Sequence, residues 1–396
     1  MKHHYKTENR WKRITQTILD FFVDVYVKLF LKIENPKIEE TPRKILFIVL
    51  AQLGDALVMS YVFPFIKKRF PDCTIDVLCG EWSKQILEHN PYINKLIFFN
   101  HIRMNRSAET IWTKVQNHFR TSRSALNSIR GQYYDLSIEG GVTHPNGNVI
   151  SFRGKVKRRI GFGSGGFGSL LTDEVTLPNQ ENFHIMEAVL SELKLLEIEK
   201  SLEDINPYFN PDEKIDTQIL FENNKLNPKK PFLIIHPESG NNKRMLSSIF
   251  WEEIIRTVLN SSNYYVIICG IYNSTSIFVE YLFNKNLGSE GRIISKVQKL
   301  SLDEFFLLSC NAVAAITVES LAAHLCSINC RTLSFYKNGY GRYFFPISRN
   351  QSTVVHNHSP SREADVFPNC DSIFIENFES ETIYNITEDF IKSLNK

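Results

Sequence analysis

Two segments, one in each half of the chain, most constrain the fold. Lys44-Ile-Leu-Phe-Ile-Val-Leu-Ala-Gln-Leu-Gly-Asp55 and Pro231-Phe-Leu-Ile-Ile-His-Pro-Glu-Ser-Gly-Asn-Asn-Lys243 are each a short apolar run of β type. Each ends in a polar, glycine-containing loop and leads into a helical pattern. A parallel strand delivers a loop and a helix N-terminus to the edge of a sheet in this way, and ligands bind there. One such unit per half predicts an α/β protein of two Rossmann-like domains facing each other across a cleft. The first loop offers the carboxylate of Asp55. The second offers the Ser239 hydroxyl, backbone amides around Gly240 and the Lys243 ammonium. This division suits an acceptor-activating base opposite a diphosphate-binding site.

The alternation around these segments supports the same class. In the first half, strands are expected at Ile45–Leu50, Thr74–Cys79, Lys95–Phe99, Tyr134–Glu139 and Arg158–Phe162. Helices are expected at Ala56–Arg69, Trp82–His89, Ala108–Ile129 and Asn182–Leu196. In the second half, strands fall at Phe232–His236, Tyr265–Cys269, Arg292–Ser295, Ala312–Thr317 and Thr332–Phe335, with helices between them. Strand–helix–strand repetition argues for parallel, doubly wound sheets. The Asn-, Pro-, Asp- and Lys-rich stretch from Glu199 to Lys230 reads as the linker region. The expected domains are a basic helix at 1–36, an acceptor-side domain at 42–205 and a diphosphate-binding domain at 206–396. The terminal helix Glu381–Leu394 is expected to pack back across the first domain.

The N-terminal segment has its own logic. Met1 to Arg13 is basic, and an apolar stretch follows from Ile14 to Ile33. Asp20, Asp24, Lys28 and Lys32 interrupt that stretch at intervals of four, which on a helix makes one polar stripe with Asp24 in reach of Lys28. Four charges at such depth argue against a spanning helix, and no small-residue cleavage site is evident. The reading is an amphipathic helix with a wide apolar face, ending near Pro36. Two roles fit it: packing on protein, or lying in a membrane interface helped by Lys2, Lys6, Arg10, Lys12 and Arg13.

Composition excludes several classes. A chain of 396 residues with 43% hydrophobic and 22% charged residues is an ordinary globular protein of more than one core. The net charge of +3 is too small to imply a nucleic-acid partner. Seven cysteines without a close C-x-x-C pair read as buried free thiols rather than disulfides or a zinc site.

Each candidate motif also has a structural reading. Asp55 follows Gly54, a residue that permits a tight turn and close backbone approach. Asp55 is a candidate base and equally a helix cap. Ser239, Gly240 and Lys243, with Arg244 beside them, form either a phosphate site or a surface turn. Glu319 and Ser320 open a helix on which His324 shares a face with Ser320, suiting an anionic ligand or simply capping a core helix. The basic runs His101–Arg130 and Arg153–Arg159 are either solvated faces or a basic lip for an anionic acceptor or membrane surface. The glycines after Arg159 lack the ending of a P-loop, and no D-x-D, H-E-x-x-H or G-x-S-x-G motif is present.

The ordered set of motifs resembles glycosyltransferase family 9, the bacterial ADP-heptose–lipopolysaccharide heptosyltransferases. Leu53-Gly54-Asp55 resembles the family's L-G-D loop. Phe63-Pro to Ile75-Asp-Val-Leu78, Asn90-Pro-Tyr-Ile93, Tyr134-Asp-Leu-Ser-Ile138 and Arg159-Ile-Gly-Phe162 resemble its following segments. Ile235-His-Pro-Glu-Ser-Gly240 with Lys243, and Glu319-Ser320 with His324-Leu325, resemble its C-terminal motifs. The order holds from Pro42 to Pro346. The resemblance implies a GT-B architecture and an inverting, metal-independent sugar transfer, with no cofactor beyond the nucleotide-sugar donor. It implies Asp55 as general base, Gly54 in the acceptor loop, and Ser239, Gly240, Lys243, Glu319, Ser320 and His324 on the donor. The family default is heptose from ADP-heptose, moved to a lipid-linked glycan such as the lipopolysaccharide core. The enzyme would be cytoplasmic, on the inner-membrane surface. Leu321 stands where the family has glycine, Glu319 where it has aspartate, and Met245 where it has an aromatic residue. A nucleotide-sugar-binding protein without transfer activity, or another enzyme of this architecture such as an epimerase, is the alternative.

Overall fold

A computed structural model describes residues 10–31, 41–142, 145–177, 183–287, 291–337, 341–357 and 368–394, with backbone alone at 10–13 and 341–342. The expected helix end near Pro36, with Lys32, lies outside the described residues, as do Lys2 and Lys6. The chain divides into two compact units, Met1–Ile205 and Asn206–Lys396.

The first unit begins with α1 (Arg10–Phe30) and β1 (Lys44–Val49), followed by α2 (Leu53–Ser60), α3 (Phe63–Arg69) and β2 (Thr74–Cys79). Then come α4 (Lys84–Leu87), β3 (Ile93–Phe98), α5 (Ile111–Gln132), β4 (Leu136–Glu139) and α6 (Asn146–Arg153). β5 (Arg158–Phe162), β6 (Asp173–Val175) and α7 (Ile185–Lys194) complete it. The sheet is parallel, in the order β3-β2-β1-β4-β5-β6. β1 is central because Ile45 through Val49 form an unbroken apolar run, each at most 1% exposed, as a strand covered on both faces requires. Right-handed crossovers put α5 and α6 together on one face and α2, α4 and α7 on the other. The expected single helix Ala56–Arg69 is two helices. Pro64, in the first turn of α3, has no N–H to return to the preceding turn, so the chain restarts there.

The second unit contains α8 (Thr217–Asn223), β7 (Phe232–His236), α9 (Ser248–Ser261), β8 (Tyr265–Gly270), α10 (Asn273–Asn284) and β9 (Ile293–Val297). It continues with α11 (Leu302–Ser309), β10 (Ala314–Val318), α12 (Leu321–Asn329), β11 (Arg331–Tyr336), β12 (Ser352–His356), β13 (Cys370–Phe374) and α13 (Ser380–Leu394). Its parallel sheet runs β13-β12-β11-β10-β7-β8-β9. The expectation that the terminal helix crosses to the first domain is corrected. The apolar stripe of α13, with Ile383, Phe390 and Ile391, joins the second unit's own core beside Trp251, Ile255 and Val258 of α9. Arg331 reinforces this seat by donating from Nη1 to the Ser393 carbonyl at 2.9 Å.

Candidate active site

Each sheet has a point where neighbouring strands send their connections in opposite directions, and a parallel sheet opens a crevice at that point. In the first unit it lies between β1 and β4, and in the second between β7 and β10. The candidate residues fall at these two edges. Gly54 and Asp55 are on the first unit. Ser239, Gly240, Lys243, Glu319, Ser320 and His324 are on the second.

At the first edge, β1 ends and Gln52 turns the chain with extended backbone, so the helix begins at Leu53. Asp55 is therefore the third helical residue and not the cap itself. Its Oδ2 accepts the Gln52 N–H at 3.0 Å, as a capping box requires. Gln52 Nε2 donates to the Met104 carbonyl at 2.8 Å, and Trp82 Nε1 to the Ala51 carbonyl at 2.8 Å, so the loop is fixed from two sides. The tight turn expected of Gly54 is not made there. Gly54 sits inside the first turn of α2, because Gln52 already redirects the backbone.

Sequence reasoning missed the β4 side of this edge. Glu139, opposite Ile48 in the ladder, is 3% exposed, and its Oε1 accepts the Gly141 N–H at 3.2 Å. A Cβ on Gly147 would stand 1.0 Å from Glu139 Oε2, so the glycine is required for this carboxyl to fit. Glu192 of α7 is fully buried nearby. Burial holds both carboxyls well above the ordinary range, and the Glu139 charge raises Glu192 further. The Glu139-Gly-Gly sequence at a strand end was a usable signal. Glu192 had only its place in an apolar helical stripe.

The denser basic run divides: Arg153, Lys155 and Lys157 are exposed, whereas Arg158 and Arg159 turn inward. Arg158 pairs with Asp173 (Nη2–Oδ1 2.9 Å), and Arg159 is buried, donating to the carbonyls of Leu170 (2.8 Å) and Val156 (2.7 Å). Their strand places both inside the sheet edge, where guanidinium groups satisfy loop carbonyls.

At the second edge the two loops are tied together. Ser239, 4% exposed, donates from Oγ to the Glu319 carbonyl at 2.7 Å. Arg244 Nη1 meets Glu319 Oε1 at 3.1 Å, with the Glu319 side chain only 3% exposed. Glu238, buried, accepts the backbone N–H groups of Ile271 (2.7 Å) and Tyr272 (2.9 Å), anchoring the loop after β8. His236 rests edge-on against Phe305, and burial draws its pKa down against the pull of Glu238. Ser320 is the N-cap residue of α12, yet its Oγ donates back to the Val318 carbonyl at 3.1 Å. His324 is buried one turn further on. Thus Ser239, Glu319, Ser320 and Arg244 come together. Gly240 and Lys243 are exposed on the β7 loop, as are Asn241 and Asn242 between them. Glu238 was missed, and Arg244 was undervalued beside Lys243.

Six of the seven cysteines are buried as expected, and Cys310, at the end of α11, is exposed. Cys79, Cys269 and Cys370 are buried with pKa pushed up to about 12. Among the described residues no group of three or more His, Cys, Asp or Glu is arranged to hold a metal ion.

No family model matches the sequence, and no curated protein matches it. Solved structures do match. A glycosyl transferase family 9 protein from Veillonella parvula DSM 2008 aligns at TM-score 0.63 and 14% identity, covering 79% of this chain and 86% of that one. The ADP-heptose lipopolysaccharide heptosyltransferase II of E. coli also gives 0.63 and 14%, covering 89% of this chain and 97% of its own. E. coli heptosyltransferase WaaC with ADP gives 0.62 and 14%, over 89% and 99%. The fold is that of the family 9 glycosyltransferases. Two parallel sheets of six and seven strands, each with helices on its faces, make this an α/β protein of the GT-B kind.

Proposed function

We propose that this chain is an inverting, metal-independent glycosyltransferase that moves a sugar from a nucleotide donor to a lipid-linked surface glycan. Heptose from ADP-heptose and a lipopolysaccharide-type core are the default donor and acceptor. The observation that carries the reading is the opposite chemistry of the two sheet edges within this fold. One presents Asp55 beside an acidic strand end, and the other presents Lys243 and Gly240 on a loop braced from below.

In the proposed reaction, the Asp55 carboxylate takes the proton of the acceptor hydroxyl as its oxygen attacks the anomeric carbon. The bond from that carbon to the diphosphate breaks, with inversion. Lys243, the amides near Gly240 and the N-terminus of α12 stabilise the departing diphosphate, so fixed protein charge serves where other transferases use a metal. Ser239 acts by holding the β7 loop to the Glu319 carbonyl. Glu319, Ser320 and His324 shape the donor side. The acceptor is presented on the cytoplasmic face of an inner membrane, with the protein peripheral there. No described helix is long and apolar enough to cross a membrane.

The test is transfer of labelled heptose from ADP-heptose to heptose-deficient lipopolysaccharide core, with and without a chelator. Chelator-resistant product of inverted anomeric configuration is expected. Donor conversion without acceptor would point to an epimerase. Donor binding without product from any acceptor would point to a non-catalytic protein.

A further inference from the structure

Helix α1 is mounted the opposite way to an ordinary surface helix. The side facing the first unit carries Gln16, Asp20, Val23, Asp24 and Val27, and Asp20 is only 1% exposed. The outward side carries Ile18 (52% exposed), Phe21 (62%), Phe22 (64%), Leu29 (68%) and Phe30 (73%). A helix that folds onto its own protein buries its apolar stripe. This one turns Asp20 and Asp24 inward, with Val23 and Val27, and leaves its large apolar side chains outward.

The seat explains how. Asp20 Oδ1 accepts the Phe167 N–H at 2.8 Å and the Gln16 side-chain amide at 3.2 Å. Phe167 has φ 56 and Gly166 has φ 110, so the turn exposes that amide through a left-handed backbone. A Cβ on Gly166 would stand 1.9 Å from Gln16 Nε2. Asn148 secures the turn from behind, donating to the Phe162 and Gly166 carbonyls at 3.0 Å each. The glycine-rich segment after Arg159 is therefore the socket for α1.

We propose that α1 is a bilayer-interface anchor, held to the first unit by Asp20 in the glycine socket and inserted through its outward apolar face into anionic lipid. The charge of the adjoining sequence selects this occupant. Lys2, Lys6, Arg10, Lys12 and Arg13 stand against the single acid Glu8. An anionic surface neutralises such a run, each cation contributing about 1 kcal/mol. Pairing with the same face of a second copy leaves these charges uncompensated. A broad aromatic and aliphatic face flanked by cations is what an in-plane interfacial helix presents. The inference deepens the proposed function by naming the element that brings it to a membrane-borne acceptor. Its readout needs no nucleotide, so the two fail separately.

The test uses the full chain in co-sedimentation with vesicles of phosphatidylglycerol and phosphatidylcholine in equal parts, and of phosphatidylcholine alone, alongside light scattering for mass. The variant is Phe22→Asp with Leu29→Asp, both at exposed positions. Wild type should sediment with the mixed vesicles and far less with phosphatidylcholine alone. The double variant should lose at least about ten-fold in partitioning, with an unchanged melting curve. Wild type that stays in solution, or a variant that binds equally well, overturns the proposal. So does a wild-type dimer that the variant dissociates, which would assign the face to a second copy.

Discussion

The two sheet edges, β1 with β4 and β7 with β10, are built alike and finished differently. Both carry buried acids. At the second edge every such acid has a dedicated partner: Glu238 takes two backbone N–H groups, and Glu319 takes Arg244. Their charge is spent on bracing loops, and the exposed Lys243 sets the sign of the loop. At the first edge Glu139 and Glu192 are held towards neutrality by burial, while Asp55 keeps one oxygen on a capping N–H and remains only half-buried. One fold thus yields a cationic edge and an acidic edge by the choice of partners for its carboxylates.

The sharpest way to break the comparison is at Asp55. Asp55→Asn keeps the shape of the capping residue and removes the base. Turnover should fall by about 10²–10⁴-fold, with donor affinity unchanged in calorimetry, and normal turnover would leave Asp55 only its capping role. Arg244→Met removes the ion pair to Glu319. Breaking a buried pair on one side costs about 3–5 kcal/mol, seen as a lower denaturation midpoint, and adding Glu319→Gln should recover most of it. Glu192→Gln tests the acidic edge. Its folded pKa lies above the 4.5 of a free glutamate, so the folded state keeps a proton that the unfolded chain has released. Stability therefore declines as pH rises from that value toward the folded pKa. The variant should flatten this decline and raise the neutral-pH melting point by about 2–4 °C per kcal/mol of burial cost relieved. An unchanged pH slope would show that Glu192 does not titrate this way. Ser239→Ala should have the smallest effect, about 1 kcal/mol for the lost bond to the Glu319 carbonyl, measured by chemical denaturation.

Much of the fold was legible where the chain alternates unbroken apolar runs with breakers. Thr74–Cys79, Arg158–Phe162 and Phe232–His236 are strands with the expected bounds. β6 and β13 escaped because edge strands need no such run, and β13 exposes Ile373 and Phe374. β12, paired on both sides, escaped because Ser352-Thr-Val-Val-His356 holds only two strongly apolar residues. The loops that carry the candidate residues were legible, because glycine and polar residues after a strand have local causes. What those side chains touch was not. Ser239 meets a carbonyl 80 positions away, and Asp20 an amide 147 positions away. Arg159 read as surface charge because sequence gives no view of the carbonyls waiting for it. The inward seat of α1 depends on the backbone of Gly166 and Phe167, which no helical periodicity encodes.

The most direct measurement is calorimetric binding of ADP, UDP, GDP and CMP to the purified protein and to Lys243→Ala. The account expects ADP to bind, and the variant to weaken it by about 10–100-fold, the worth of a charged hydrogen bond. Preference for another nucleoside diphosphate would keep the transferase and replace the donor. Binding of none of them, or equal binding by Lys243→Ala, would contradict the claim that the β7–β10 edge holds a donor diphosphate.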